Sequence, residues 1–223
     1  MSEQAKPKQH RITIPRYTLG EELTNSISHG IGAALGIAAL VLCIVKSAFA
    51  HDGYKLASSI VFGITVMLLY LMSCLYHAFK VNMAKRVFRV MDHCTIFLLI
   101  AGTYTPFTLV TLRGPLGWSL FGIVWGVAIL GIVLNAVSLK KFAKLSVLCY
   151  LGMGWVIIFA FRRLASALDP VGLYLLIGGG VAYTVGAILY AVGSKRKYFH
   201  SIFHFFCVIG TVLHFFAVYL YVL

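Results

Sequence analysis

The sequence predicts an all-α membrane protein in which seven transmembrane helices form one domain. Of the 223 residues, 61% are hydrophobic and only 11% are charged, and the mean hydropathy is +0.93. A soluble domain of this length could not bury so much apolar surface. The apolar residues fall into seven segments, each close to the roughly 20 residues that a helix needs to cross a bilayer. Alternation of apolar and polar residues is absent, so we expect helices, which satisfy their own backbone hydrogen bonds in lipid, and not a barrel.

A short polar segment precedes the apolar ones. Residues 1–20 are mostly polar and basic, and they lack the apolar core and small-residue cleavage site of a signal peptide. We therefore expect a basic cytoplasmic tail over residues 1–20 and a single transmembrane domain over residues 21–223. The predicted spans are 25–48, 56–79, 91–112, 116–138, 145–162, 171–193 and 199–222.

The distribution of basic residues predicts the orientation of these spans. Of the 19 Lys and Arg residues, 14 lie in the tail or in the loops after the second, fourth and sixth segments, and five lie in or beside the alternate loops. Because basic loops stay on the cytoplasmic side, the N-terminus is predicted to be cytoplasmic and the C-terminus extracellular. The same distribution accounts for the net charge of +13, so we do not expect nucleic acid as a partner.

Several other features have packing interpretations. The five cysteines lie inside or at the ends of apolar segments without a Cys-x-x-Cys pair, and we interpret them as reduced packing residues. The spacings Gly32-x-x-x-Gly36 and Gly122-x-x-x-Gly126 favour close contact between helices of one chain, and a homo-oligomer face is the alternative. Pro106 should kink the third helix because proline has no N–H to donate.

Polar residues inside membrane segments are costly and therefore indicate functional sites. Nine of them fall at one depth, just beneath the predicted cytoplasmic surface, although they are scattered along the sequence. Helix periodicity places those of the first, second and seventh segments each on one helix face. The nine are Glu22, Asn25 and His29 in the first segment, Ser73 and His77 in the second, Asp92 and His93 in the third, and His200 and His204 in the seventh.

Three of the histidines predict a metal site. His200 and His204 stand one turn apart, with Cβ atoms about 5–6 Å from each other, so both imidazoles can bind one ion. With His77 they make a set of three neutral imidazoles and leave a fourth tetrahedral position for water, which is the ligand count of a catalytic zinc site. Hydrogen bonding between helices is the alternative for the His200 and His204 pair.

Asp92 is the candidate acid–base group of this site. It can take a proton from water activated by the metal or orient that water, and Ser73 can hydrogen-bond a ligand or polarise a substrate carbonyl. The alternative for Asp92 is a pair with Arg89 that caps the helix dipole. His93 is rotated about 100° from Asp92, so we expect it beside the site. His214 lies about 15 Å deeper along the last helix, and we expect a core hydrogen bond there.

Four short motifs follow one another along the chain. They are Glu22-x-x-Asn25-x-x-Ser28-His29-Gly30-Ile31-Gly32, Ser73-x-x-x-His77, Asp92-His93 followed by Ala101-Gly102-Thr103-Tyr104-Thr105-Pro106-Phe107, and His200-x-x-x-His204. Each motif is weak alone, but the ordered set resembles the hemolysin III family, the bacterial branch of the progestin and adipoQ receptor superfamily. The resemblance extends from about residue 17 to the C-terminus.

The resemblance implies a multi-pass protein of the bacterial inner or plasma membrane with seven helices and a cytoplasmic N-terminus. It also implies a zinc ion held by His77, His200 and His204, with Asp92 acting through a water molecule. The wider group is similar to alkaline ceramidases, which use a Ser, an Asp and three His to hydrolyse a lipid amide. Around the ligands we expect Glu22, Asn25, His29 and His93.

The combined interpretation is a zinc-dependent membrane hydrolase that acts on a lipid amide or ester bond and contributes to membrane lipid and fluidity homeostasis. Membrane lipids are then its substrate or ligand. One alternative is a receptor-like sensor in which the zinc is structural. A transporter or channel is less favoured, because transporters place their polar residues near the bilayer midplane and here they lie to one side.

Overall fold

The computed structural model describes residues 14–193 and 196–223, and within these ranges the chain is helical and has no strand. The first 13 residues of the predicted tail lie outside the described ranges. A π-helical turn, Phe107–Thr111, follows the third helix, and a 3₁₀ turn, Val156–Ala160, joins the fourth to the fifth. The α-helices are α1 (Leu19–Phe49), α2 (Gly53–Ala78), α3 (Met83–Pro106), α4 (Pro115–Trp155), α5 (Phe161–Ala167), α6 (Pro170–Val192) and α7 (Phe199–Tyr221).

Six helical stretches of the described chain are long and apolar enough to cross a membrane. The longest, Pro115–Ala167, has 53 residues and breaks at Ser138, whose φ of −164° and ψ of 99° are non-helical. Across this break, Asn135 accepts a hydrogen bond from Ser146 Oγ at 2.6 Å and donates one to Tyr150 OH at 3.2 Å. In a straight helix, residues 135 and 150 would be about 22 Å apart. The chain therefore reverses at Ser138, as the predicted fourth and fifth spans require, while the total of seven crossings stays a prediction.

The first three helices begin before their predicted spans, because a capped turn precedes the apolar part of each. Asn82 caps α3 by accepting a hydrogen bond from Lys85 N at 2.9 Å, so the helix begins at Met83, eight residues before the span predicted to start at residue 91. Lys85 is thus helical and 1% exposed, and its assignment to a loop is wrong. Asp92 lies well beyond the first turn of α3, where the helix dipole no longer acts, so the alternative that it caps this helix is also wrong.

Small residues let α1 and α2 pack closely, as the Gly32 and Gly36 spacing predicts. A Cβ at Gly32 would lie 2.5 Å from the Tyr70 ring, and one at Gly36 would lie 3.0 Å from the backbone of α2. A Cβ at Gly122 or Gly126 would instead meet no atom within 4 Å. The expectation of close contact at this second pair is wrong, because both glycines face away from the other described helices.

Pro106 is the last residue of α3, and the kink expected at this position stays a prediction. The chain continues as the π-helical turn, where the Thr108 hydroxyl donates to the carbonyl oxygens of Tyr104 and Thr105 at 2.9 and 3.1 Å. A side-chain donor thus bonds to carbonyls near the proline, which has no N–H. The five cysteines are all free, as the sequence predicts.

Labelling with a membrane-impermeant thiol reagent tests the predicted orientation. In a background without native cysteines, Lys141→Cys should stay unlabelled in intact cells and react after permeabilisation, because its basic loop is predicted to be cytoplasmic. Ser166→Cys, near the opposite end of the following span, is the matched site and should react in intact cells. Labelling of Lys141→Cys in intact cells would overturn the orientation.

Candidate metal centre

Three histidine side chains from two helices converge at one point. His77 lies in the last turn of α2, and His200 and His204 lie in the first two turns of α7. The Nε2 atom of His200 is 3.3 Å from Nε2 of His77 and 3.1 Å from Nε2 of His204. All three candidate ligand atoms lie within 4.8 Å of one another. These are the three residues that the sequence predicts as metal ligands.

The arrangement of these nitrogens fits a bound metal ion. Tetrahedral zinc with metal–nitrogen distances of about 2.0–2.1 Å separates neighbouring ligand nitrogens by about 3.3 Å, close to the two separations above. Three Nε2 atoms that face one another cannot all find hydrogen-bond donors, but each can direct a lone pair at a shared ion. Among the described residues, no second group of three or more His, Cys, Asp or Glu side chains brings its ligand atoms close enough together to hold one metal ion.

The Glu22 carboxylate of α1 holds one of the three histidines. Its Oε2 atom lies 2.7 Å from Nδ1 of His77, and its Oε1 atom lies 2.7 Å from Nζ of Lys85 on α3. A carboxylate that accepts the Nδ1 hydrogen of a histidine fixes the tautomer, so Nε2 of His77 keeps its lone pair for a metal. Glu22 therefore lies where the sequence predicts a partner of the ligands.

Asn25 and His29 of α1 also lie against the histidines. Asn25 is fully buried and places Nδ2 3.5 Å from Nδ1 of His77, a longer contact than that of Glu22. The His29 ring stacks on His204 with a centroid separation of 3.6 Å and an interplanar angle of 19°. Both ring nitrogens of His29 lack a hydrogen-bond partner among the described residues. The geometry thus brings both residues to the cluster without making them ligands.

Asp92, Ser73 and His93 form the α2–α3 side of the site. Nδ1 of His93 lies 3.3 Å from Oδ2 of Asp92 and 2.9 Å from the carbonyl oxygen of Arg89. Ser73 is 1% exposed, and its hydroxyl makes no hydrogen bond to another described residue. His93 therefore contacts Asp92, and its place around the metal ligands stays a prediction.

Sequence reasoning missed three residues that surround the centre. The Tyr17 ring, in the segment before α1, stacks on His200 at 5.1 Å with an interplanar angle of 14°, and burial raises the pKa of its phenol. The Tyr76 ring lies 4.5 Å from that of His77, and Nζ of Lys85 lies 5.1 Å from the Tyr76 ring centroid. The sequence feature that could have identified Lys85 is Asn82, because an Asn that caps a helix at this position places Lys85 in the first helical turn.

His214 does not belong to the centre. Its Nε2 atom donates a hydrogen bond to the carbonyl oxygen of Leu176 on α6, at 3.0 Å. The predicted core hydrogen bond is therefore confirmed, and His214 is a buried histidine that links α7 to α6.

The chain is similar over most of its length to bacterial proteins named hemolysin-3. The profile of a family described as "Haemolysin-III related" matches residues 17–215. Hemolysin-3 of Bacillus cereus is 44% identical over 203 residues, which cover 91% of this chain and 92% of that protein. The hemolysin-3 homolog of Bacillus subtilis (strain 168) is 42% identical over 205 residues, which cover 92% of this chain and 96% of that protein.

A more distant similarity reaches a human protein. Monocyte to macrophage differentiation factor of Homo sapiens is 24% identical over 194 residues, which cover 82% of this chain and 79% of that protein. No solved structure matches the chain. The profile match and the two bacterial relatives, together with the apolar helices, show that the chain belongs to the haemolysin-III related family and is a multi-pass membrane protein.

Proposed function

We propose that this protein is a zinc-dependent membrane hydrolase that cleaves an amide or ester bond of a lipid and so contributes to membrane lipid homeostasis. The observation that carries the proposal is the convergence of three imidazole rings with Nε2 separations of 3.1 and 3.3 Å. The Ser73 hydroxyl, one turn before His77 on α2, and the Asp92 carboxylate of α3 are both buried. A closed structural zinc site has four protein ligands, whereas a catalytic one has three and an open position.

A zinc ion in this position would polarise a substrate carbonyl and acidify water. The chain's own residues have separate tasks in the proposed reaction. His77, His200 and His204 hold the ion. The Asp92 carboxylate takes the proton from the attacking water, a task that needs an ionised acid near the reacting atoms. The Ser73 hydroxyl, which is buried and has no hydrogen-bond partner among the described residues, donates to the substrate's carbonyl oxygen.

An apolar cavity supports a lipid as the substrate. It has a volume of about 490 Å³ and lies between α3, the 3₁₀ turn, α5, α6 and α7, where Phe107, Ile157, Leu173 and Leu176 are among its walls. That volume is within the range of small-molecule sites. His214, also on the cavity wall, lies about 15 Å along α7 from His204. An acyl chain, which spans half of the roughly 30 Å hydrocarbon core, covers that distance.

One observation favours the receptor-like alternative. The candidate ligands come from α2 and α7, so a bound ion links the two helices whether or not it reacts, and none of the three histidines lies on the wall of the apolar cavity. A structural zinc would stabilise the same contacts without turnover. The two functions differ in what they require of Asp92, which is not a ligand in either.

Metal analysis tests the ligand assignment. The purified protein should contain one zinc ion per chain, and His200→Ala/His204→Ala should lose it, because a single remaining imidazole cannot retain the ion. Occupancy should also fall as the pH is lowered, since protons compete for the imidazole nitrogens. His51→Ala, which removes an exposed histidine, is the control and should keep its zinc. Full occupancy in the double variant would refute the assignment.

Asp92→Asn separates catalysis from scaffolding. The amide keeps the shape of the carboxylate and can hydrogen-bond to water, but it is too weak a base to remove a proton. The variant should keep its zinc and lose turnover by about 10²-fold or more. The measurement is the release of labelled fatty acid from fluorescent N-acyl and O-acyl lipids by the protein in nanodiscs, with zinc content determined on the same sample.

Asp169→Asn is the matched carboxylate control, because Asp169 lies at the start of α6, away from the histidine cluster. It should release fatty acid at the wild-type rate. A folded, zinc-loaded Asp92→Asn protein with wild-type turnover would contradict the hydrolase mechanism, and the receptor-like alternative would then be the better account.

A further inference from the structure

The helix that carries two of the three candidate ligands lacks a capping side chain of its own. Tyr198 is the N-cap of α7, has a left-handed backbone with φ of 62°, and makes no side-chain hydrogen bond to the helix. The first N–H groups of a helix have no partner within it and need one from elsewhere. Four helices of the described chain have such a partner in their own N-cap side chain, whereas α4 and α5, like α7, have none. The four caps are Thr18 for α1, Asp52 for α2, Asn82 for α3 and Asp169 for α6.

Glu21 of α1 provides the missing partner. Its Oε1 atom accepts a hydrogen bond from the Tyr198 N–H at 2.8 Å. Its Oε2 atom accepts hydrogen bonds from the backbone N–H and the hydroxyl of Thr18 at 2.9 and 2.8 Å. In a capping box, a Glu at the third helical position bonds to the N-cap N–H of its own helix. Here one carboxylate makes that contact for α1 and, through its other oxygen, for α7 as well.

The hydrogen bond between Tyr198 and Glu21 lies at the end of α7 that carries the two candidate ligands. His200 follows Tyr198 by two residues and His204 by six, so the place where α7 begins determines where both imidazoles stand. The Tyr198 side chain also packs against the first turn of α1, where a Cβ at Gly20 would lie 2.7 Å from the Tyr198 hydroxyl oxygen. The adjacent Glu22 contacts His77. The first turn of α1 therefore contacts both of the helices that carry candidate ligands.

The negative charge of Glu21 also suits this location. The N-terminus of a helix carries a partial positive charge, which favours a carboxylate within the first turn. Glu21 is 6% exposed, so its hydrogen bonds compete little with water. A carboxylate that is buried, makes three hydrogen bonds and joins two helix N-termini holds α7 in one position relative to α1.

We propose that Glu21 is a positioning residue of the metal centre: by capping α7 from α1, it sets His200 and His204 at the separation from His77 that one ion requires. This inference rests on the proposed function only in that the three histidines bind zinc. Partners of this kind, which orient ligands without touching the metal, typically change metal affinity by about 10–100-fold when they are removed.

The test compares zinc dissociation constants, measured by competition with a chelator, for the full-length protein in nanodiscs. Glu21→Ala should weaken zinc binding by about 10–100-fold. Glu21→Gln keeps one carbonyl oxygen that can accept the Tyr198 N–H, but its NH₂ group cannot accept the Thr18 N–H, so its zinc affinity should lie between those of Glu21→Ala and the wild type. Asp169→Ala removes the cap of α6, whose side chain accepts a hydrogen bond from Val171 N at 2.8 Å, and is the matched control for the loss of a helix cap. It should bind zinc as the wild type does.

A second readout does not involve the metal. In zinc-free protein, Glu21→Ala should speed hydrogen exchange of the backbone amides from Tyr198 to His204, and Asp169→Ala should speed exchange only at the start of α6. Equal zinc affinity in Glu21→Ala and Asp169→Ala, or unchanged exchange at the start of α7, would overturn the inference. A wild-type protein that binds no zinc would instead contradict the proposed function and remove the centre that Glu21 positions, so the wild-type measurement distinguishes the two failures.

Discussion

The contacts of the Glu22 carboxylate are the interaction on which the arrangement of the site depends. One oxygen faces Nδ1 of His77 and the other faces Nζ of Lys85, both at 2.7 Å. Lys85 is 1% exposed, and an unpaired charge buried at a membrane segment is costly. Pairing removes much of that cost only if α1, α2 and α3 meet in one arrangement. The need to satisfy these charges therefore fixes the three helix ends that surround the centre.

This arrangement also decides which atoms remain for a metal. Because Nδ1 of His77 contacts Glu22, its Nε2 atom is the one that faces Nε2 of His200, which in turn faces Nε2 of His204. The adjacent Glu21 bonds to the start of α7, so two successive carboxylates of α1 contact both helices that carry candidate ligands. A hydrolase and a receptor with a structural zinc would use the same three histidines. The two functions differ in whether Asp92 accepts a proton from water.

Much of this could be predicted from the sequence, because the informative signals are local. The one-turn spacing of His200 and His204 and their shared depth with His77 identify the candidate ligands, and the all-helical membrane class follows from composition and segment length. Lys85 was missed because apolar windows exclude the capped polar turn that begins α3. The contact between Glu21 and Tyr198 joins residues 177 positions apart, and no spacing rule connects such residues. The open faces at Gly122 and Gly126 show that a small-residue spacing permits close packing without requiring it.

X-ray absorption at the zinc edge of the purified protein tests the central claim most directly, because it reports the atoms bound to the ion. The account predicts three imidazole nitrogens and one further light atom at about 2.0–2.1 Å, with the multiple-scattering signature of three imidazole rings. The same spectrum with only one or two imidazoles, or with a sulfur ligand at about 2.3 Å, would contradict it.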